Sequence, residues 1–226
     1  MSKSSSIFFT TLLLVYGSLF SSVSYSDANH LLRDSRYTWE EMQMPSKPTI
    51  PSYLVENAAG ILIIPNAIKG GFIIGGIHGT GVLIKRNRKT GDFSAPLFVS
   101  LKGASLGLQI GVSSLEIVFL IMNERGVEIL SKGKLTIGTD LSATAGPSSK
   151  SFLASSDILL QSDLYTYAKS KGLFLGVSLK GAFISPYDKF NRLLYGQEYD
   201  IYSILFKDLA PTTKDGQRLI ESINQT

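Results

Sequence analysis

The chain has 226 residues, a formal charge of +4, 44% hydrophobic and 18% charged side chains, 21 glycines and no cysteine. This balance excludes a disordered chain and gives one domain-sized core, while the mild positive charge suits an acidic surface and falls short of a nucleic-acid binder. The absence of cysteine excludes disulfides, thiolate metal sites, a cysteine nucleophile and lipid attachment at a lipobox.

Residues 1–26 read as a signal peptide. Lys3 supplies the positive start and 7–20 is apolar. Small residues stand at Ser22-Val23-Ser24 and at Ser24-Tyr25-Ser26, and cleavage after Ser26 is favoured. The alternative is a membrane anchor, but an apolar run of about 14 residues rises only about 21 Å, short of a hydrocarbon core of roughly 30 Å. A second apolar run, 61–77, is broken by Pro65, Asn66, Lys69 and paired glycines, so it reads as strand and turn. Residues 27–51 are polar and carry Pro45, Pro48 and Pro51, which predicts an arm or a short helix leading into a single domain over 52–226.

Ser52 is placed to cap a short helix that ends near Gly60 and feeds a strand at 61–64. Phe72, Ile73 and Ile74 sit between glycine pairs, and a strand at 81–85 leads into the turn cluster 87–92 and then 93–101, a hairpin with a basic tip. Residues 105–112 and 116–122 suit buried strands. Asn123 caps a predicted helix over 124–132, with Gly133 placed for its C-terminal turn. The run 135–146 returns to β and ends at Gly146-Pro147, before a polar loop at 148–151. Residues 159–168 and 173–184 predict a last hairpin around Lys169-Ser170-Lys171-Gly172. Beyond Pro186, 187–195 and 201–206 look helical or irregular, and 213–223 predicts a terminal helix with Leu219, Ile220 and Ile223 as its stripe. The fold class is α+β and β-rich, an antiparallel sheet or barrel-like β core with a few short peripheral helices.

Spaced blocks along 52–196 carry a family resemblance. They include Ala58-Ala59-Gly60 through Ile64-Pro65, Lys69-Gly70-Gly71-Phe72 with Gly75-Gly76, and Gly79-Thr80-Gly81-Val82-Leu83. Further on come Ser94-Ala95-Pro96-Leu97-Phe98, Gly107-Leu108-Gln109-Ile110-Gly111, Gly138-Thr139-Asp140 with Ala145-Gly146-Pro147, and blocks from Tyr167 to Gly181. In order and spacing they resemble the SYLF domain, a lipid- and actin-binding domain. The chain is similar to the exported, free-standing bacterial forms. Phe93 departs from the family's usual Trp, and the segment before Ser52 looks short and proline-broken where relatives have a longer amphipathic helix. The resemblance implies a β-rich domain that binds acidic phospholipids, phosphoinositides in eukaryotic relatives, with actin binding in some fungal members.

The candidate chemistry is cationic. Lys85, Arg86, Arg88 and Lys89 place four charges within five residues. At an anionic bilayer each contributes about 1 kcal/mol, enough for weak reversible association. The plain alternative is a solvated hairpin end. Lys69, Lys169 and Lys171 extend the set if the fold gathers them. The glycines at 76–81 lack the following helix of a dinucleotide loop and any Walker-type lysine. Two histidines give a poor zinc set, and Gly-x-Ser-x-Gly is absent. Asp140 reads as an acceptor for backbone donors, and Tyr165, Tyr167 and Phe174 as core or cross-strand pairs. The expected function is a non-enzymatic, exported module, periplasmic or secreted and not a lipoprotein. It takes no cofactor and no metal, and binds an anionic lipid surface rather than nucleic acid. The alternative is a protein-interaction module for an envelope partner or host actin.

Overall fold

The computed structural model describes residues 24–44, 49–71, 74–106, 111–148, 162–175 and 177–226. Residues 1–23, 45–48, 72–73, 107–110, 149–161 and 176 lie outside the described residues, and with them most of the expected leader, most of the polar loop expected at 148–151 and the start of the strand expected at 159. Every described helix and strand lies from Ser24 onward.

Helix α1 (Tyr25–Met42) precedes a short α2 (Ser52–Asn57). Four long strands then form an antiparallel meander: β1 (Gly60–Gly71), β2 (Ile74–Lys85), β3 (Leu97–Leu106) and β4 (Gly111–Ile121). After α3 (Glu124–Ser131) come β5 (Leu135–Thr136), β6 (Ala143–Ala145), β7 (Leu164–Ser170), β8 (Leu173–Leu175) and β9 (Phe183–Pro186). The chain closes with α4 (Asp188–Tyr195), α5 (Ile201–Phe206) and α6 (Lys214–Asn224). The strand order is β5-β9-β3-β2-β1-β4-β7-β6, with β8 also on β7, and the sheet curls into a half-barrel. The α+β, β-rich expectation holds.

Both faces of the central strands are covered, which is why Ile61, Leu62, Ile63 and Ile64 are all fully buried and form a continuous apolar run rather than an alternating one. Directly paired residues share a face. Ile61 and Ile63 therefore lie on one face with Ile84 and Val82 of β2 and with Leu120 and Val118 of β4. That face is roofed by α1 and α4, the latter through Phe190 set edge-on to Phe98 at 5.5 Å. Helix α6 packs on α1, where Arg33 pairs with Asp215 at 2.8 Å and the Trp39 indole N–H donates to Thr226 at 3.3 Å. The opposite face is closed by α3, whose Val127 lies against Gly60, and by the 177–182 loop, whose Ala182 lies against Gly103.

Pro65 stands inside a central strand without a ladder N–H, which is tolerated because the register shifts there, between Ile63 and Asn66 against β2 and between Ile64 and Ala67 against β4. The bulged backbone falls onto β2, where a Cβ on Gly79 would lie 2.7 Å from the Ile64 side chain and one on Gly81 would overlap the Ile63 carbonyl oxygen. This close approach is the reason for Gly79-Thr80-Gly81.

Four expectations need correction. Ser52 is not a cap: the residue before α2 is Pro51, with no side-chain cap hydrogen bond. Residues 105–112 are not one buried strand: β3 ends at Leu106, β4 begins at Gly111, and Val112 is 80% exposed. Residues 27–51 are not a short proline-broken lead-in: α1 runs for 18 residues before Pro45, and its Ala28, Leu31, Leu32, Trp39 and Met42 are core. The hairpin after Lys169 is also shorter than expected. Strand β8 stops at Leu175, Gly181 turns with φ +84°, and β9 pairs with β3 on the other side of the half-barrel. The remaining helices follow expectation closely. Asn123 accepts from the Gly126 N–H at 3.0 Å to cap α3, and Thr213 accepts from the Gly216 N–H at 3.2 Å to cap α6.

Candidate functional site

The antiparallel meander has two ends, and the fold divides the seven cations expected to meet lipid between them. Lys85, Arg86, Arg88 and Lys89 lie at the end where Lys85 pairs with Gly60, whereas Lys69 lies eight positions away along β2, opposite Ile77. At about 3.3 Å per residue the two groups are roughly 26 Å apart.

At the first end the turn is stabilised from within. The Asn87 N–H donates to Asp92 O at 2.7 Å, the Gly91 N–H to Asn87 O at 2.8 Å, and Gly91 has φ +83°. Most of the charge is engaged in the fold. Lys85 is buried, pairs with Glu124 at 3.2 Å and lies 5.0 Å over the Phe206 ring. The Arg86 guanidinium stacks 4.2 Å from Phe93 and donates to Gly91 O and Val55 O. Its burial depresses its pKa against the opposing pull of Glu56. Arg88 donates to Met122 O at 3.0 Å and lies 3.5 Å from Glu124. Lys89 is exposed, with no ion pair among the described residues.

Lys169 is withdrawn from any surface. The residue is 1% exposed, and its ammonium lies 2.6 Å from Glu41 of α1 and 2.8 Å from Glu116 of β4. Burial opposes its charge, yet the contacts to Glu116 and Glu41 outweigh that and hold its pKa above the usual lysine value. Its role is to fasten α1 to the sheet.

At the second end the face that the helices roof elsewhere carries exposed side chains among the described residues. Register places Ile68 opposite both His78 and Ser114, His78 opposite Lys102, and Gly70 opposite both Val112 and Gly76, all on the face the helices roof elsewhere. There Ile68, His78, Lys102, Val112 and Ser114 are exposed. Lys69 is half-buried on the reverse face, and Lys171, at φ +48°, forms the exposed β7–β8 turn beside Ser170, whose hydroxyl donates to Ser114 O at 2.9 Å. Lys69, Lys102 and Lys171 thus share one end of the sheet, and Lys102 was not among the residues singled out by charge runs. The signal for it is the distribution of acids: no Asp or Glu occurs in 57–91, 93–115 or 164–187. Among the described residues, the carboxylate nearest this end in register is Glu116, which Lys169 takes up.

Other candidate groups are structural. Asp140 accepts from the Thr136 N–H at 2.6 Å. Tyr165 and Tyr167 are buried, and burial pushes the Tyr167 hydroxyl, which donates to Pro147 O at 3.0 Å, well above the usual tyrosine range. A cleft of about 220 Å³ opens between β6, β7 and the loop at 177–180, with Lys180 as its one ionisable lining residue. Among the described residues there is no group of three His, Asp or Glu that could hold a metal, and no helix is long and apolar enough to cross a membrane.

Fold and surface together define a class: an α+β half-barrel, helix-roofed on one face and basic at one set of strand ends. A family model described as Las17-binding protein actin regulator, Ysc84, matches residues 102–226, and the chain belongs to that family, which contains the SYLF domain. It is 32% identical over 176 residues to SH3 domain-containing YSC84-like protein 1 of Homo sapiens, covering 77% of this chain and 51% of that protein. It is 37% identical over 150 residues to Protein YSC84 of Saccharomyces cerevisiae, covering 65% of this chain and 32% of the relative. LAS seventeen-binding protein 3 of the same species is 33% identical over 165 residues, covering 72% and 36%. The chain spans about half the length, or less, of these relatives. The family is one of actin regulators and is not a known enzyme family.

Proposed function

We propose that this protein is an exported, non-enzymatic module that binds acidic phospholipid head groups through a basic surface. The observation that carries the reading is the segregation of charge: Lys69, Lys102 and Lys171 stand at one end of the sheet, in three sequence stretches without a single carboxylate. Such a surface attracts an anionic bilayer, and each lysine contributes about 1 kcal/mol. The turn at 85–89 supplies at most Arg88 and Lys89, because Lys85 and Arg86 are held within the fold. The test is vesicle co-sedimentation of the chain from Ser24 onward, which contains every described element. Binding to phosphatidylserine-containing vesicles at low salt, none to pure phosphatidylcholine, and steep weakening by salt are expected; equal binding to both vesicle types would overturn the reading.

The second reading is a protein-interaction module for an actin-related or envelope partner. The family description and the name of LAS seventeen-binding protein 3 favour it. A mostly apolar protein interface would be insensitive to both salt and anionic lipid. Export rests on the apolar run at 7–20 behind Lys3. Secretion of a tagged full chain, with its leader removed, is the expected result.

A further inference from the structure

The unroofed end of the sheet carries more than charge. Ile68 is 52% exposed, Val112 80% and Leu173 70%, in a protein whose other β1 and β4 aliphatic side chains are almost wholly buried. Their positions are fixed by pairing. Ile68 stands on β1 two residues from Gly70, which is opposite Val112 on the adjoining β4; Leu173 pairs with Ser170, whose hydroxyl reaches the β4 backbone at Ser114. Neighbouring strands lie about 4.8 Å apart, so these side chains and Lys69, Lys102 and Lys171 occupy one end of the sheet, with Ile68, Val112 and Lys102 on the face the helices roof elsewhere and Lys69 and Leu173 on the reverse face. Between them stand Gly70, Gly76, Ala104 and Ser114, which add little relief.

We infer that this end of the half-barrel is the membrane-docking surface, with Ile68, Val112 and Leu173 entering the interface of an anionic bilayer while Lys69, Lys102 and Lys171 stay at head-group depth. The inference rests on the lipid reading above and specifies its site. Exposed aliphatic side chains are what an interfacial surface buries, and lysine stems lie along such a surface while their ammonium groups remain in water. A cluster of one charge sign suits a uniformly anionic sheet of lipid, whereas a protein partner of mixed charge would call for acids and bases set in register. At the opposite end Lys85, Arg86 and Arg88 are paired with Glu124 or directed at backbone carbonyls, which leaves Lys89 as the exposed cation of that turn without an ion pair among the described residues.

The experiment uses the chain from Ser24 onward with phosphatidylcholine vesicles that contain about one-fifth phosphatidylserine. Because the chain has no cysteine, single thiols at Val112→Cys and Lys89→Cys can each carry an environment-sensitive fluorophore. The label at 112 is expected to shift blue on binding and the label at 89 to stay unchanged. Ile68→Ser with Val112→Ser is expected to weaken binding about tenfold, and Lys69→Gln, Lys102→Gln and Lys171→Gln together about 100-fold. Wild-type binding with a shift at 89 and none at 112, or with undiminished binding by both sets of variants, overturns this site and leaves the lipid reading standing. No binding by wild type overturns both. Binding to actin filaments that the same variants lose, without vesicle binding, assigns the surface to a protein partner and overturns the lipid assignment.

Discussion

At Lys169 a buried cation is held between two carboxylates that are themselves about one-third exposed. The cost of an error therefore falls on the lysine. Replacing Glu41 and Glu116 by Gln leaves its charge buried and uncompensated, and about 3–5 kcal/mol of stability is expected to be lost. Lys169→Met removes the charge and keeps the stem, freeing both glutamates to face water, so it is expected to cost less; urea unfolding of the two proteins ranks them. The raised lysine pKa sets the pH range of this contribution: it is present in full below the unfolded lysine value and fades as pH rises above it. Gly81 is the other sensitive position. A methyl group there meets the Ile63 carbonyl at the β1 bulge, and Gly81→Ala is expected to cost about 3 kcal/mol in thermal unfolding. The reason for Gly81 lies in the bulge of the neighbouring strand, whereas Asp140 was legible in sequence as a backbone acceptor because that is a local matter. The burial of Lys169 was not: its partners lie 53 and 128 positions away, as the numbering of Glu116 and Glu41 gives.

At the scale of elements, α1 shows why an N-terminal helix escaped the sequence. Ala28, Leu31, Leu32, Ser35, Trp39 and Met42 follow helical spacing, but the outward face is strongly polar and the cap lies within residues assigned to the leader. Ser24 accepts from the Asp27 N–H at 3.3 Å, and the Ser24 N–H donates to the Asp27 carboxylate at 2.8 Å, a capping box. Cleavage after Ser26 would remove Ser24 from the mature chain. A chain beginning at Asp27 is expected to be less stable than one beginning at Ser24 by about 1 kcal/mol, because it lacks the cap and its α-amino charge falls within the first helical turn; denaturant midpoints of the two chains measure this. A second element-level junction is Asp163, which accepts from the Asn123 side-chain amide at 2.7 Å and from the Ser142 hydroxyl at 2.8 Å, joining the α3 cap to the strand ends of β6 and β7. The Ser142 and Asn123 hydrogen bonds hold its carboxyl below the ordinary aspartate value. A depressed folded-state pKa stabilises above the unfolded value and is lost as pH falls through the folded one. Stability should therefore drop below about pH 4, and Asp163→Asn should flatten part of that drop in acid titrations followed by circular dichroism.

For the whole molecule, the unbroken lengths of β1 to β4 were not legible, but the strand segments at 61–64, 81–85 and 116–122 were readable from their apolar runs. The route of β9 was not, since pairing with β3 depends on how the sheet curls and nothing local to residues 177–182 encodes it. The same curl sets the surface: cations scattered in sequence at 69, 102 and 171 gather at one end, while the most conspicuous run, at 85–89, is largely consumed by its own fold. Gathering like charges has a consequence for folding as well as for binding. The backbones of Lys69 and Lys102 lie two strands apart, about 10 Å, close to the Debye length at 0.1 M salt, and their side chains leave opposite faces of the sheet, so their mutual repulsion is weak. Added salt screens their repulsion and should raise the melting temperature slightly, whereas the contacts of the buried Lys169 ammonium are screened much less. The same salt screens attraction to anionic lipid and should weaken vesicle binding steeply. Melting curves and vesicle titrations from about 0.05 to 0.5 M sodium chloride should therefore move in opposite directions. If both stayed flat, the clustered lysines would be neither repelling one another nor meeting an anionic surface, and the electrostatic account of this end of the sheet would fail.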